Sequence, residues 1–319
     1  MRTRSGLPAV VAVSVALVAG CGDASGHARP DVPHPFGGAA HIPVAERRLF
    51  AAAEEELVAD CMRGRGLRYL PQPPAEAAGP EETGAAVYGL IGPREARLHG
   101  YGMGERLVAT PSSSGGAAMP VGANAAMRAA MTARERRAWD GALLGTPGRE
   151  ARIEVDGNVF TYAPDACVTR ARQDLFGTDW DRLRVTAEAA VSAVAARVWR
   201  DPAMTAAVAR WSECMAGKGH DLRAPAEARA VVDRALSGAA GGNRAGFAAA
   251  LRLEHETAIA DADCQCDSGI WEAVVSAQRA AERGTPATAS AAVSSLRAAR
   301  VKALEAARRI TATAPPPTR

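Results

Sequence analysis

The stretch Trp211-Ser212-Glu213-Cys214-Met215, followed by Gly219, decides the fold because its pattern occurs twice in the chain. The earlier copy is Glu56-Leu57-Val58-Ala59-Asp60-Cys61-Met62, followed by Gly66. Each copy is typical of a helix that ends in Cys-Met and reverses direction at a nearby glycine. Each copy also precedes a further cysteine on a later predicted helix, Cys167 in the first case and Cys264 in the second. The sequence therefore predicts two related halves, each a helix pinned to a later helix.

Large side chains are scarce, although 48% of the 319 residues are hydrophobic. Alanine supplies much of that fraction, and only 4% of the residues are aromatic. We therefore expect alanine-rich helices that pack closely and need covalent support, because a core made only of large side chains would be thin. The tryptophans are expected to anchor the helix contacts; they are Trp139, Trp180, Trp199, Trp211 and Trp271.

Charge excludes one class of partner. The chain carries 38 basic and 35 acidic side chains, a formal net charge of +3, and the two signs are interspersed. Proteins that bind nucleic acid usually concentrate basic residues on one face or in one run, and no such run is present. We therefore expect no nucleic-acid partner.

The N-terminus has the pattern of an export signal. Arg2 and Arg4 precede an apolar stretch over residues 7–19, which is shorter than the about 20 residues that a membrane-spanning helix needs. The stretch ends in Leu17-Val18-Ala19-Gly20-Cys21, which resembles a bacterial lipobox. The resemblance implies that residues 1–20 are a signal peptide, removed after Gly20, and that Cys21 carries acyl chains such as palmitate. We therefore expect an extracytoplasmic protein anchored to the cell membrane through Cys21.

Residues 21–43 are rich in glycine, proline and histidine, and this composition predicts a flexible tether. The rest of the chain predicts a mainly α, disulfide-pinned helical bundle with long loops. Alternation over residues 152–161, around Asp156-Gly157, predicts one short β-hairpin. We place an N-terminal helical and loop half at residues 44–178, a C-terminal helical half at 179–311, and a disordered tail at 312–319.

The chain resembles a family of actinobacterial exported proteins and lipoproteins of unknown function. Three motifs carry the resemblance: W-x-x-C-M and a following glycine (Trp211 to Gly219), a G-Y-G segment after an acidic residue (Glu95 to Gly102), and A-x-A-D-x-x-C (Ala258 to Cys264). The resemblance covers most of residues 45–285. It implies an exported helical protein and says little about chemistry.

Cysteines at these spacings in an exported protein predict disulfides. The repeat pairs Cys61 with Cys167, and it pairs Cys214 with either Cys264 or Cys266, which point about 200° apart on a helix. The family pattern favours Cys264, which makes Cys266 the candidate free thiol. The alternative is a metal site formed by Cys214, Cys264 and Cys266 with His220 and His255, although C-x-C is not the usual zinc spacing. We expect disulfides, with no metal and no cofactor.

Two clusters of polar side chains are candidates for function. Glu95, His99 and Tyr101 lie in a glycine-rich segment that is either a recognition loop or a packed loop whose glycines adopt unusual backbone angles. Glu256, Asp261 and Asp263 could be paired carboxylates on a helix, and we expect instead a solvated or cap-directed helix face. No known catalytic motif is present, so no catalytic residue is assigned.

Three hypotheses follow for function. The first is a non-catalytic lipoprotein that binds another envelope protein or the cell wall. The second is an envelope enzyme, such as a wall hydrolase, that uses Glu95, His99 or the region around Asp261. The third is a metal-binding or redox lipoprotein that uses Cys264 and Cys266.

Overall fold

The computed structural model describes residues 30–72, 83–109, 122–155, 157–239 and 244–313. These residues form a mainly helical bundle with one antiparallel hairpin and two disulfides, which confirms the predicted fold class. The predicted signal peptide, Cys21 and residues 314–319 of the predicted tail lie outside the described residues.

The first half contains α1 Pro35–Gly38, α2 Val44–Gly64, a 3₁₀ turn Gly84–Tyr88, α3 Pro93–His99, α4 Met103–Ala109, α5 Ala123–Ala129, α6 Ala133–Leu144, β1 Ala151–Val155, β2 Asn158–Tyr162 and α7 Cys167–Phe176. The second half contains α8 Trp180–Val198, α9 Pro202–Gly217, α10 Pro225–Ala239, α11 Arg244–Asp267, α12 Ile270–Arg283 and α13 Ala287–Thr313. None of the described helices is both long enough and apolar enough to cross a membrane.

The two copies of the Cys-Met pattern have the same local structure. Met62 and Met215 are both fully buried, and Gly66 and Gly219 adopt left-handed backbone angles, with φ of 71° and 88°. The amide after each glycine donates to the methionine carbonyl, at 3.0 Å in the first copy and 2.9 Å in the second. The glycine amide donates to the carbonyl of the residue after the methionine, and the two bonds together form the Schellman motif that ends many helices. The internal repeat is therefore a repeat of one capped helix end.

Other local signals also fix the element boundaries. The Thr132 side chain accepts from the Glu135 amide, and the Glu135 carboxylate accepts from the Thr132 amide, which completes a capping box at the start of α6. The hairpin pairs Ile153 with Phe160 across the predicted turn. Gly269, with a φ of 75°, separates α11 from α12.

Both predicted disulfides form. Cys61–Cys167 joins α2 to α7, and Cys214–Cys264 joins α9 to α11. The bridges span 106 and 50 residues, so the chain-entropy account gives each about 4–5 kcal/mol of stabilisation through the unfolded state. That is large beside the about 5–15 kcal/mol of net stability typical of a domain.

The division at residue 178 does not follow the packing. Tyr88, Ile91 and Tyr101 from the first half belong to the same core cluster as Trp211 and Val274 from the second. Conversely, α13 packs against α2 and α7 as well as α8. The two predicted halves therefore share core clusters and interleave.

The predicted tether is corrected over residues 30–43, most of which pack on the body. Val32 and Ala39 are buried, at 3% exposure each. The Phe36 amide donates to Glu282 at 2.9 Å, and Arg300 donates to the carbonyls of Gly38 and His41 at 3.1 and 2.6 Å. Glycine and proline composition suggested flexibility, but these side chains and backbone groups find partners on α12 and α13. Residues 21–29 lie outside the described residues.

We predict that a Cys266→Ser variant keeps the Cys214–Cys264 bridge, because the structure joins Cys264 and not Cys266 to α9. Non-reducing peptide mapping should link the Cys214 peptide to the Cys264 peptide in both wild type and variant. A Cys264→Ser variant is the matched control and should lose the link. Loss of the link in Cys266→Ser, with retention in Cys264→Ser, would show that the pairing is wrong.

Candidate functional site

A row of polar side chains lies on the buried face of α11. Its members are spaced three or four residues apart, so they share one side of the helix. All are at most 2% exposed: Glu254, Thr257, Asp261, Gln265 and Ser268. Acidic side chains are almost never fully buried unless they are paired, so this row requires partners.

Asp261 lies at the centre of the row and accepts three hydrogen bonds. Its Oδ2 accepts from the Tyr101 hydroxyl at 2.8 Å. Its Oδ1 accepts from Trp211 Nε1 at 2.9 Å and from Gln265 Nε2 at 2.8 Å. The donors come from the segment between α3 and α4, from α9 and from α11 itself. One carboxylate therefore joins three separate parts of the chain.

The protonation of this group reflects two opposing effects. Burial raises the pKa of the Asp261 carboxyl above its ordinary value, because the charged form loses its water. Hydrogen bonds from Tyr101, Gln265 and Trp211, and the charge of Arg229, act in the opposite direction. Arg229 also lies over the Tyr101 ring, 4.5 Å from its centroid, and donates to the Gly89 carbonyl at 3.1 Å.

Gln265 extends the network toward the chain before α3. Its Oε1 accepts from the Ile91 amide at 3.0 Å, while its Nε2 donates to Asp261. Just after the end of α11, the Ser268 carbonyl accepts twice from Arg210, at 2.7 and 2.9 Å. The polar row thus fastens α9 and the segment before α3 to α11.

Glu254 binds the start of α4. Its two carboxylate oxygens accept from the Met103 amide at 2.6 Å and from the Gly104 amide at 3.0 Å. These amides have no partner within the helix, and a carboxylate at a helix start is favourable. Gly100, with a φ of 60°, lies so close that a Cβ there would be 2.9 Å from the Glu254 side chain. A Cβ at Gly104 would collide with Leu251.

The three motifs of the family resemblance meet at the Asp261 carboxylate. Tyr101 belongs to the G-Y-G segment, Trp211 to W-x-x-C-M and Asp261 to A-x-A-D-x-x-C. The Trp211–Asp261 bond and the Cys214–Cys264 bridge both join α9 to α11, and they are three residues apart on each helix. The motifs therefore specify one polar and covalent clamp.

The predicted recognition loop is not assembled at the surface. Tyr101 is buried at 7% exposure and its hydroxyl donates to Asp261, as the packed-loop alternative expects for this residue. His99 is exposed and its Nδ1 lies 3.0 Å from the Glu105 carboxylate, while Glu95 is exposed on α3. The glycines of this segment allow close packing on α11, because a side chain at Gly100 or Gly104 would overlap it. His99 is exposed and Asp261 is buried, so these two candidates of the enzyme hypothesis do not share one site.

The hypothesised metal site loses two of its ligands to the Cys214–Cys264 bridge. Within the described parts of the chain, no group of three or more histidine, cysteine or acidic side chains is arranged to hold a metal ion. Cys266 belongs to neither disulfide and is partly buried. Its assignment as a free thiol stays a prediction.

The sequence interpretation of Asp261 was wrong, and it missed Glu254 and Gln265. Asp261 was expected to be solvated beside Asp263, but the two side chains point in different directions on the helix. Asp263 is partly exposed and pairs with Lys218 at 3.2 Å. Helical spacing could have revealed the row. Asp261 and Gln265 lie on the same side of α11 as Cys264, and Cys264 had to face α9 to form the bridge.

The geometry defines a structural clamp. Asp261 is fully buried, and each donor that it binds is itself held by the fold, so no solute contacts it in this conformation. Comparison of the chain with protein-family models, with curated proteins and with solved structures finds no match.

We predict that Asp261→Ala lowers the free energy of unfolding by about 3–5 kcal/mol, because three buried donors lose their acceptor. Asp263→Ala, two residues away, removes only a partly exposed ion pair and should cost less than about 1 kcal/mol. Urea unfolding followed by tryptophan fluorescence measures both. Equal losses in the two variants would contradict the clamp.

We also predict a pH dependence that Asp261→Asn removes. Since burial raises the pKa of this carboxyl, the folded protein retains a proton that the unfolded chain releases, and stability falls as pH rises through the folded-state pKa. The stability of Asp261→Asn relative to wild type should therefore improve as pH rises from about 4, the ordinary pKa of an aspartate, through the folded-state pKa. Unfolding curves at several pH values test this. A stability of Asp261→Asn that falls relative to wild type with rising pH would mean that the pKa is lowered instead.

Proposed function

We propose that this protein is a lipid-anchored component of a bacterial cell envelope, whose helical body has a non-catalytic binding or accessory role. The observation that carries the proposal is the pair of disulfides between helices, because such bonds persist in oxidising compartments. The disulfides indicate an extracytoplasmic location.

The sequence around Cys21 supports the lipid anchor. The basic residues, the short apolar stretch and Leu17–Cys21 form a lipobox-like signal. All four cysteines in the two bridges come from the body, so neither disulfide uses Cys21. Stable attachment needs more than one acyl chain, since each buried methylene contributes about 0.8 kcal/mol.

The accessory role is supported by the position of the motif residues in the core. Tyr101 and Trp211 both donate to Asp261 inside the core, so the motifs maintain the fold and leave recognition to the surface. The partners in this proposal are the membrane, through the anchor, and another envelope protein or the cell wall.

We predict that the protein extracted from membranes begins at an acylated Cys21. Intact-protein and peptide mass spectrometry should show loss of residues 1–20 and an added diacylglyceryl group. A Cys21→Ala variant is the control and should be neither acylated nor cleaved after Gly20. An unmodified peptide that spans Gly20 and Cys21 in the wild type would contradict the anchor.

A further inference from the structure

The packed segment after residue 30 determines which face of the body lies nearest the anchor. This inference rests on the proposed lipidation of Cys21. Val32 and Ala39 are buried, and the Phe36 amide is bound by Glu282 of α12, so the segment is fixed to the body. Pro30 is thus where the fixed part of the chain meets the part that leads to Cys21.

The reach of that linking part is short. Nine residue steps separate Cys21 from Pro30, which at about 3.3–3.6 Å each give at most about 30 Å. A compact domain of this length has a radius of gyration of about 18 Å and is nearly 50 Å across. Since the reach is smaller than the body, the face that carries Pro30 lies toward the bilayer.

That face contains a surface cavity of about 360 Å³ between Pro30 and α12. Its lining residues are Pro30, Glu272, Val275, Ser276, Arg279 and Arg283. On α12, residues 272, 276, 279 and 283 recur at helical spacing, so they form one strip along the exposed side of the helix.

The two arginines are the notable charges of this strip. Arg279 and Arg283 are one turn apart and exposed, and neither has a hydrogen bond or ion pair with another described residue. Many other arginines of this protein, such as Arg197, Arg210 and Arg300, bind carbonyls or carboxylates. The acid of the strip, Glu272, is seven residues from Arg279, or about 10 Å along the helix. Asp31, which follows Pro30, is also exposed.

We propose that Arg279 and Arg283 bind the phosphate groups of anionic lipids in the membrane to which Cys21 is attached. Guanidinium groups bind phosphate through paired, charge-assisted hydrogen bonds, and the cavity beside Pro30 admits a headgroup. The short link holds the strip within reach of the surface. The contact orients the body, with α12 against the bilayer and the elements away from α12 available to an envelope partner.

The test uses the mature chain, residues 21–319, with Cys21→Ser, so that binding does not depend on the acyl chains. Sedimentation with vesicles of phosphatidylcholine containing 30 mol% phosphatidylglycerol measures the partition coefficient. We expect binding that weakens with added salt, and that falls about thirtyfold in Arg279→Gln/Arg283→Gln, since each basic residue near an anionic surface contributes about fivefold. Glu272→Gln should strengthen binding.

The matched control is Arg134→Gln/Arg137→Gln on α6, which removes the same charge from an exposed helix face elsewhere. It should change the partition coefficient less than about threefold, because only long-range attraction is reduced. Equal losses in the two double variants, or no binding to the anionic vesicles, would overturn the proposal.

Competition separates a lipid surface from a small-anion site. Inorganic phosphate should displace the protein no more than sodium chloride at equal ionic strength, and displacement by phosphate alone would overturn the assignment to lipid. The result is distinct from that of the lipidation experiment. An acylated Cys21 without vesicle binding contradicts only this inference, and vesicle binding without acylation contradicts only the anchor.

Discussion

The hydrogen bonds to the buried carboxylate of Asp261 are the constraint on which the rest of the structure depends. A carboxylate in the core is costly unless its oxygens are satisfied, and a donor in the core is costly unless it has an acceptor. Tyr101, Trp211 and Gln265 each meet that requirement only when three segments of the chain come together. An unpaired buried donor costs free energy, so these bonds favour one arrangement of the three segments. Contacts between alanine side chains alone distinguish the arrangements less.

The clamp works together with covalent bonding because large side chains are few. The Cys214–Cys264 bridge limits the unfolded chain, while the bonds of Asp261 select one folded arrangement of the same two helices, α9 and α11. The first copy of the repeat has the capped helix end and the Cys61–Cys167 bridge, but Val58 stands where the second copy has Trp211. The polar clamp therefore belongs to one half, and the other half is held by its bridge and by the cluster around Met62 and Trp139.

The fold was largely predictable from local chemistry. Capping residues, glycines after helix ends and the Asp156-Gly157 turn each act within a few residues, so the sequence contains their signals. The disulfide pairs followed from the repeat, with the family pattern needed to choose Cys264. What could not be predicted depends on contacts between distant segments. The packing of residues 30–43 on α12 and α13 requires partners about 250 residues away, and a glycine- and proline-rich composition does not reveal them.

The candidate site was also hard to predict, because it too depends on contacts between distant segments. The sequence left open whether Tyr101 lies in a recognition loop or a packed loop, and it favoured a solvated or cap-directed helix face for Asp261. In the folded protein the Tyr101 hydroxyl and the Asp261 carboxyl satisfy each other, together with Trp211 and Gln265. Predictions from single residues fail when the residues are satisfied only by one another.

A double-mutant cycle between Tyr101→Phe and Asp261→Ala tests this account most directly. All four proteins are unfolded in urea with the same stabilising osmolyte, so that the weakest variant remains folded at the start. We predict a coupling energy of about 1.5–3 kcal/mol, with Tyr101→Phe costly in the wild type and nearly neutral once Asp261 is alanine. Losses that add to within about 0.5 kcal/mol would contradict it, because they would mean that Tyr101 and Asp261 stabilise the fold independently.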